Sequence, residues 1–268
     1  MTTKEADMEM AVRIDRGNGP AIVLLHGFPG SAADWEPVAV RLPEDRRTLV
    51  VDLVGFGASA RPESFEAVWT DAQAAALCAT LDRLGMDEVA LIGHDMGGPV
   101  ALTFLDRYPD RVTHLGLSAT NTFTDTPVDF PLSLLRLPGL GALIEPVFLS
   151  KPALRGLGRA ASRTKGVRAT PNDSGEAKTI RTIFASVLRD LPDLYREIEA
   201  VLPAIAVPTT VIWGDEDMFF SEAQGRRTAE AIPGAEFVLL EGCGHFTPIE
   251  RPDEVAAAIL RLVAQDGA

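Results

Sequence analysis

Val89-Ala90-Leu91-Ile92-Gly93-His94-Asp95-Met96-Gly97-Gly98, continuing into Pro99-Val100-Ala101-Leu102, reads as an apolar strand, a turn of small residues and then a helix. The turn has the form small-x-nucleophile-x-small, with Asp95 at its centre. A strand that reverses so sharply into a helix leaves no room for a Cβ at Gly93 or Gly97. The bend lifts one side chain above the carboxyl end of a parallel sheet, beside a helix N-terminus that favours negative charge. A carboxylate there has a physical reason to stay ionised and exposed. Taken alone, Gly-x-Asp-x-Gly is also the pattern of an aspartate capping an ordinary helix, so the rest of the chain must decide.

Working outward, Ala21–Leu25 is a buried strand that runs into His26-Gly27-Phe28-Pro29-Gly30. A helical segment over Ala33–Leu42 follows, then a strand over Thr48–Val54. An amphipathic helix from about Trp69 to Leu84 stops at Gly85, as a helix C-terminus should. Beyond the Asp95 turn, or elbow, come a strand over Val112–Ser118 and, much later, a strand over Thr209–Trp213. Helix Ser221–Ala231, strand Glu236–Leu240 and a closing helix Pro252–Val263 complete the chain. At the front, Met8–Arg16 alternates weakly, and Asn18-Gly19 is a hairpin turn signal. Apolar strands alternating with helices predict an α/β fold with a mostly parallel central sheet covered by helices.

The alternation breaks near Asn121 and resumes at Thr209. The stretch between reads as helical, interrupted by prolines and glycines, which predicts a core over 1–121 and 209–268 and a helical cap over 122–208. The cap holds 11 of the 25 basic residues and 9 of the 38 acidic ones, so it is weakly positive while the remainder is strongly negative. Arg155, Arg159 and Arg163 fall four apart, but Gly156 and Gly158 weaken a helix there, and the trio reads as a solvated face.

The 268 residues are 46% apolar, enough for a sizeable core, and carry a net charge of −13. That charge argues against nucleic acid or an anionic membrane as partner. Apolar runs are too short to span a bilayer, and Met1–Asp7 lacks an apolar signal core. With two cysteines and no disulfide framework, the expectation is a cytoplasmic protein, monomer or homodimer, and the phenylalanines taken up below point to a small and largely apolar molecule as its partner. Four scattered histidines show no ligand spacing, so neither a metal nor another cofactor is expected.

Four motifs stand at strand ends: His26-Gly27-Phe28-Pro29, Gly93-His94-Asp95-Met96-Gly97, Gly214-Asp215-Glu216-Asp217 and Gly242-Cys243-Gly244-His245. In this order the chain resembles the α/β-hydrolase superfamily, whose nucleophile, acid and histidine follow one another in that sequence. An aspartate at the elbow narrows the resemblance to the epoxide hydrolases and the haloalkane or haloacetate dehalogenases. The resemblance implies Asp95 as nucleophile, His245 as the base that activates water and Asp217 as its partner. It also implies the N–H groups of Phe28 and Met96 as oxyanion donors. The chemistry is consistent: a carboxylate is already an anion and can displace a leaving group at saturated carbon, giving an ester that water must then open. Asp215, the other acid candidate, suits the turn itself. His26, His94 and Asp52 fall where the family uses structural residues.

The two branches need different help for the leaving group. Epoxide hydrolases usually offer two cap tyrosines to the alkoxide; here Tyr195-Arg196 resembles one such pair, while Tyr108 belongs to a structural Tyr-Pro-Asp pattern. Dehalogenases often carry a tryptophan after the nucleophile, where this chain has Met96, which offers no side-chain donor. Phe28 in the His-Gly-x-Pro motif also resembles the epoxide hydrolases. Phe123, Phe130, Phe148, Phe184, Phe219 and Phe246 either line a pocket or pack the core; Phe219 and Phe246 lie next to the acid and the base. The expected activity is epoxide hydrolysis to a vicinal diol. The alternatives are dehalogenation, a biosynthetic homologue that moves protons without hydrolysis, and a pocket that only binds.

Overall fold

The computed structural model describes residues 8–62, 69–126, 143–144, 146–147, 150–164 and 193–265. Its centre is a seven-stranded sheet. The strands are β1 (Val12–Arg16), β2 (Ala21–Leu25), β3 (Arg47–Val51), β4 (Val89–His94), β5 (Val112–Ser118), β6 (Thr209–Gly214) and β7 (Glu236–Leu240). Their order is β1-β3-β2-β4-β5-β6-β7, parallel except where β1 meets β3. The helices are α1 (Glu36–Ala39), α2 (Trp69–Arg83), α3 (Gly97–Arg107), α4 (Lys151–Ala161), α5 (193–201), α6 (Glu222–Ala231), α7 (Thr247–Glu250) and α8 (Pro252–Leu262).

The continuous apolar runs form strands buried on both faces because successive side chains point to opposite sides. Val23 and Leu25 of β2, Leu49 and Val51 of β3, Leu91 of β4 and Leu117 of β5 join the layer that holds Leu77 of α2 and Val100 and Phe104 of α3. Their neighbours Ile22, Leu24, Val50 and Ile92 join the other layer, with Trp35, Val38 of α1 and Val255, Ile259 and Leu262 of α8. Each fully buried Val, Leu or Ile contributes about 1.5–3 kcal/mol relative to exposure. Gly116 leaves space in β5 that the Ile92 side chain fills.

Three expectations change. The Asn18-Gly19 turn forms, with Gly19 at φ 103°, but it does not close a hairpin. β1 pairs with β3 instead, and the turn is held by the Asn18 N–H donating to the Glu44 carbonyl (2.9 Å), so β3 separates β1 from β2. The segment expected as one helix from Ala33 begins as a 3-10 turn at Ala32–Trp35 and continues as the four-residue α1. α4 forms although it contains Gly156 and Gly158, because Ser150 caps it, Pro152 starts it and Leu154 and Ala161 are buried. Arg155, Arg159 and Arg163 are exposed, and Arg163 pairs with Glu216 at 3.1 Å.

Chain direction across the sheet reverses at β2, since β3 lies to one side of it and β4 to the other. In open α/β sheets the crevice beyond the carboxyl ends of two such strands is where ligands bind. Here those ends are His26–Gly30 and His94–Asp95. Among the described residues no helix is long and apolar enough to cross a membrane.

Candidate active site

Asp95 sits at φ 49°, a left-handed conformation that few non-glycine residues adopt. Three backbone contacts hold it there. The Asp95 N–H donates to the Ser118 carbonyl (3.0 Å), and the Asp95 carbonyl accepts from the Gly98 N–H (3.1 Å) and the Thr120 hydroxyl (2.7 Å). The flanking glycines are required: a Cβ on Gly93 would fall on the Gly97 carbonyl, and one on Gly97 would strike the Leu25 carbonyl. A Cβ on Gly27 would likewise fall on the Asp95 side chain. Such strain typically costs about 1–3 kcal/mol and persists only where the surroundings over-determine it.

The carboxylate meets two groups. Its Oδ1 accepts the Phe28 N–H at 2.6 Å, and its Oδ2 lies 3.5 Å from His245 Nε2. On the far side of the ring, His245 Nδ1–H donates to Asp217 Oδ2 at 2.9 Å. Asp217 Oδ1 accepts the N–H groups of Phe219 (2.8 Å) and Phe220 (3.1 Å), which fixes the acid's rotamer. Asp215 does not reach the ring; it accepts the Cys243 N–H at 3.1 Å and braces the turn. Met96 is the N-cap of α3, directly after Asp95. Phe219, Phe220 and Phe246 surround the imidazole edge-on, with ring centroids 4.9, 5.6 and 5.1 Å away. They leave it almost free of water, only 2% exposed.

Charge follows from this packing. Burial opposes the charged form of His245, but Asp217 and Asp95 on either side outweigh it and push its pKa up to about 10. Burial likewise disfavours a charged Asp95, yet the bond and charge of His245, with the Phe28 N–H, hold it below the ordinary carboxylate range. The resting pair is therefore carboxylate and imidazolium. His94, its ring tilted against that of His245 with centroids 5.0 Å apart, is pushed down to about 3 by burial and by its charged neighbour, and stays neutral. His26 accepts the Leu53 N–H at Nε2 (3.0 Å) and donates to the Gly27 carbonyl from Nδ1 (2.9 Å), tying the Phe28 loop to the end of β3. Asp52 accepts N–H groups from Ala32 (2.7 Å) and Ala58 (3.0 Å) and holds the same loops together.

Tyr195 lies on α5, packed against the core, with its ordinary pKa raised by burial and by the charge of Asp95. A side-chain hydrogen bond from Asn121 works in the opposite direction. Asn121 is itself fixed by the Phe123 N–H (3.2 Å) and the Phe123 carbonyl (3.1 Å). Neither Asn121 nor Thr120 carries a motif that would have singled it out, since both owe their place to the end of β5. Phe123 is buried under the Arg227 guanidinium, 3.6 Å above its ring. Phe130, Phe148 and Phe184 lie outside the described residues. A cavity of about 310 Å³ opens beside the acid, between Asp125, Asp217, Met218, Phe219 and Gln224. Among the described residues no cluster of His, Cys, Asp or Glu could hold a metal ion.

Residues 20–252 match the model of a family described as the alpha/beta hydrolase fold. Haloalkane dehalogenase 2 of Mycobacterium tuberculosis is 27% identical over 267 residues, covering 92% of this chain and 89% of its own. The 2-hydroxymuconate semialdehyde hydrolase of Pseudomonas sp. strain CF600 is also 27% identical, covering 94% of this chain and 89% of its own. Among solved structures, a putative ancestral haloalkane dehalogenase superposes with a TM-score of 0.74 at 22% identity, covering 96% of both chains. The enol-lactonase from Burkholderia xenovorans LB400 gives the same TM-score at 23% identity, again covering 96% of both. At these identities the likeness to solved structures is one of fold.

Proposed function

The chain belongs to the α/β-hydrolase fold family, and from that premise we propose that it is a hydrolase whose Asp95 forms a transient ester with a carbon of an epoxide substrate. The observation that carries this reading is the carboxylate at the elbow, with Oδ1 on the Phe28 N–H (2.6 Å) and Oδ2 facing His245 (3.5 Å). A serine there would need a base to remove its proton; this group is already charged.

Oδ2, the oxygen not held by Phe28, attacks the epoxide carbon; the carbon–oxygen bond breaks, and the Tyr195 hydroxyl protonates the departing oxygen. Esterification cancels the charge of Asp95, one of the two that keep His245 protonated. The imidazolium then yields its proton to the Tyr195 oxygen and becomes a base. Water attacks the Asp95 carbonyl carbon while His245 Nε2 takes its proton. Negative charge gathers on Oδ1, opposite the N–H groups of Phe28 and Met96. Collapse expels the diol, which receives a proton from His245, and Asp95 returns its own proton to the ring. Asp217 holds the tautomer throughout.

One turnover of styrene oxide in heavy-oxygen water, followed by mass analysis of the Asp95 peptide, tests the reading. Label should enter Asp95 and be absent from that first diol; repeated turnover without label in Asp95 rejects the ester route. His245→Ala should accumulate the ester as an adduct of substrate mass, and Asp95→Ala should lose activity altogether. Dehalogenation is the second reading, favoured by the similarity to haloalkane dehalogenase 2. It needs no proton for its leaving group, so halide release from 1,2-dibromoethane that survives Tyr195→Phe would select it.

A further inference from the structure

The His245 loop is held from an unexpected quarter. Glu250, the last residue of α7, is only 5% exposed. Its Oε2 accepts the N–H groups of Gly244 (3.2 Å), Arg163 (2.7 Å) and Thr164 (3.0 Å). Its Oε1 accepts the Phe246 N–H (3.2 Å). Between those two loop residues, the His245 N–H donates to the Ala161 carbonyl (3.0 Å) at the end of α4. Three consecutive N–H groups around the imidazole are thus fixed, two by one carboxylate and one by the cap-side segment that the same carboxylate binds. Gly244 has no alternative, since a Cβ there would meet the Ala161 carbonyl and lie 2.8 Å from Glu250 Oε1. Arg163 bridges to Glu216, next to Asp217 (3.1 Å), and Arg251 donates to the Thr164 hydroxyl (3.0 Å), so the junction reaches the acid loop as well.

No cation neutralises Glu250 among the described residues; its charge is met by backbone dipoles, which a buried carboxylate accepts well. That arrangement is specific to two anionic oxygens. A glutamine keeps an acceptor on one side and turns an N–H toward donors on the other, leaving a buried N–H unpaired.

We propose that Glu250 is a positioning residue that locks His245 over Asp95 and makes that placement depend on the docked end of cap helix α4. The proposal rests on the function proposed above for its kinetic consequence only. Attack by Asp95 uses the carboxylate and the Tyr195 hydroxyl and makes no demand on the position of Nε2, whereas opening of the ester needs Nε2 placed to within about 1 Å, a displacement that can reduce a rate on the order of 10²-fold.

Glu250→Gln and the shorter Glu250→Asp are compared with the wild type in two measurements. With styrene oxide as probe, formation of the Asp95 adduct should stay within about a factor of three of wild type, while its hydrolysis falls on the order of 10²-fold in Glu250→Gln and less in Glu250→Asp. By amide hydrogen exchange, Gly244–Phe246 and Ser162–Thr164 should lose protection together in both variants, with β4 unchanged. Exchange confined to one of the two segments, or unchanged in both, overturns the proposal whatever the kinetics. Equal losses in adduct formation and hydrolysis also overturn it, since they indicate general loosening. If the wild type forms no adduct, the ester reading fails and the exchange pattern alone decides on Glu250.

Discussion

His245 rests as an imidazolium because two carboxylates flank it, and the sign of its pH behaviour follows. Its pKa is raised from 6.5 to about 10, so its contribution to stability is complete below pH 6.5 and is lost as pH rises through about 10. On the proposed mechanism, adduct formation should therefore show no ascending limb between pH 6 and 8, while adduct hydrolysis should show one, because ester formation would remove the Asp95 charge. Single-turnover rates across that range check this; parallel profiles for both steps would contradict it. Asp34 is the opposite case. Burial raises its carboxyl from 3.8 to about 7, and its Oδ1 has no hydrogen-bond partner among the described residues while Oδ2 accepts the Ser31 N–H (3.3 Å). Keeping this group neutral favours folding only at acid pH. Asp34→Asn, which retains an acceptor for Ser31, should raise stability by a margin that grows from pH 4 to 7 and then levels, reaching at least about 1 kcal/mol. Thermal unfolding of the pair at pH 4 and pH 8 measures it. If Tyr195 is the acid of the proposed epoxide reaction, removal of its hydroxyl in Tyr195→Phe should lower epoxide turnover by about 10²–10⁴-fold, the usual contribution of a positioned acid.

The elbow was the element most legible in the sequence, because its requirements are local: an apolar strand, two glycines and a helix start within fourteen residues. Gly97→Ala places a methyl group on the Leu25 and His26 carbonyls, with cost about 1–3 kcal/mol as for other overpacked sites. A chain of this size should then lose roughly 2–4 °C of Tm per kcal/mol, readable by calorimetry. The edge of the sheet was misread for the complementary reason. Asn18-Gly19 carries a local hairpin signal, but pairing is decided by where β3 lies, and nothing near residue 18 encodes that. Glu250 was equally silent. Its partners at Arg163 and Thr164 are 87 and 86 positions away in sequence, and a glutamate before a proline-initiated helix looks like any surface acid.

At the scale of the whole molecule the net charge of −13 and the pI near 4.8 mean self-repulsion at neutral pH, which salt screens. Tm should rise between 10 and 300 mM sodium chloride, roughly the span over which the Debye length falls from about 30 to below 10 Å; a fall would indicate that the surface ion pairs outweigh the repulsion. The fold class and the alternation of strand and helix were readable because burial on both faces forces unbroken apolar runs, whereas the order of strands depends on contacts between distant segments. That order has a consequence for the nascent polypeptide. Residues Val12–Arg16 emerge from the ribosome before Arg47–Val51, the strand they pair with, and the free edge of Val112–Ser118 stays bare until synthesis has passed Thr209. Biogenesis therefore includes an early interval with Val12–Arg16 unpaired and a later one with the Val112–Ser118 edge open to chaperones, and slowing translation across residues 122–208 should lengthen the second.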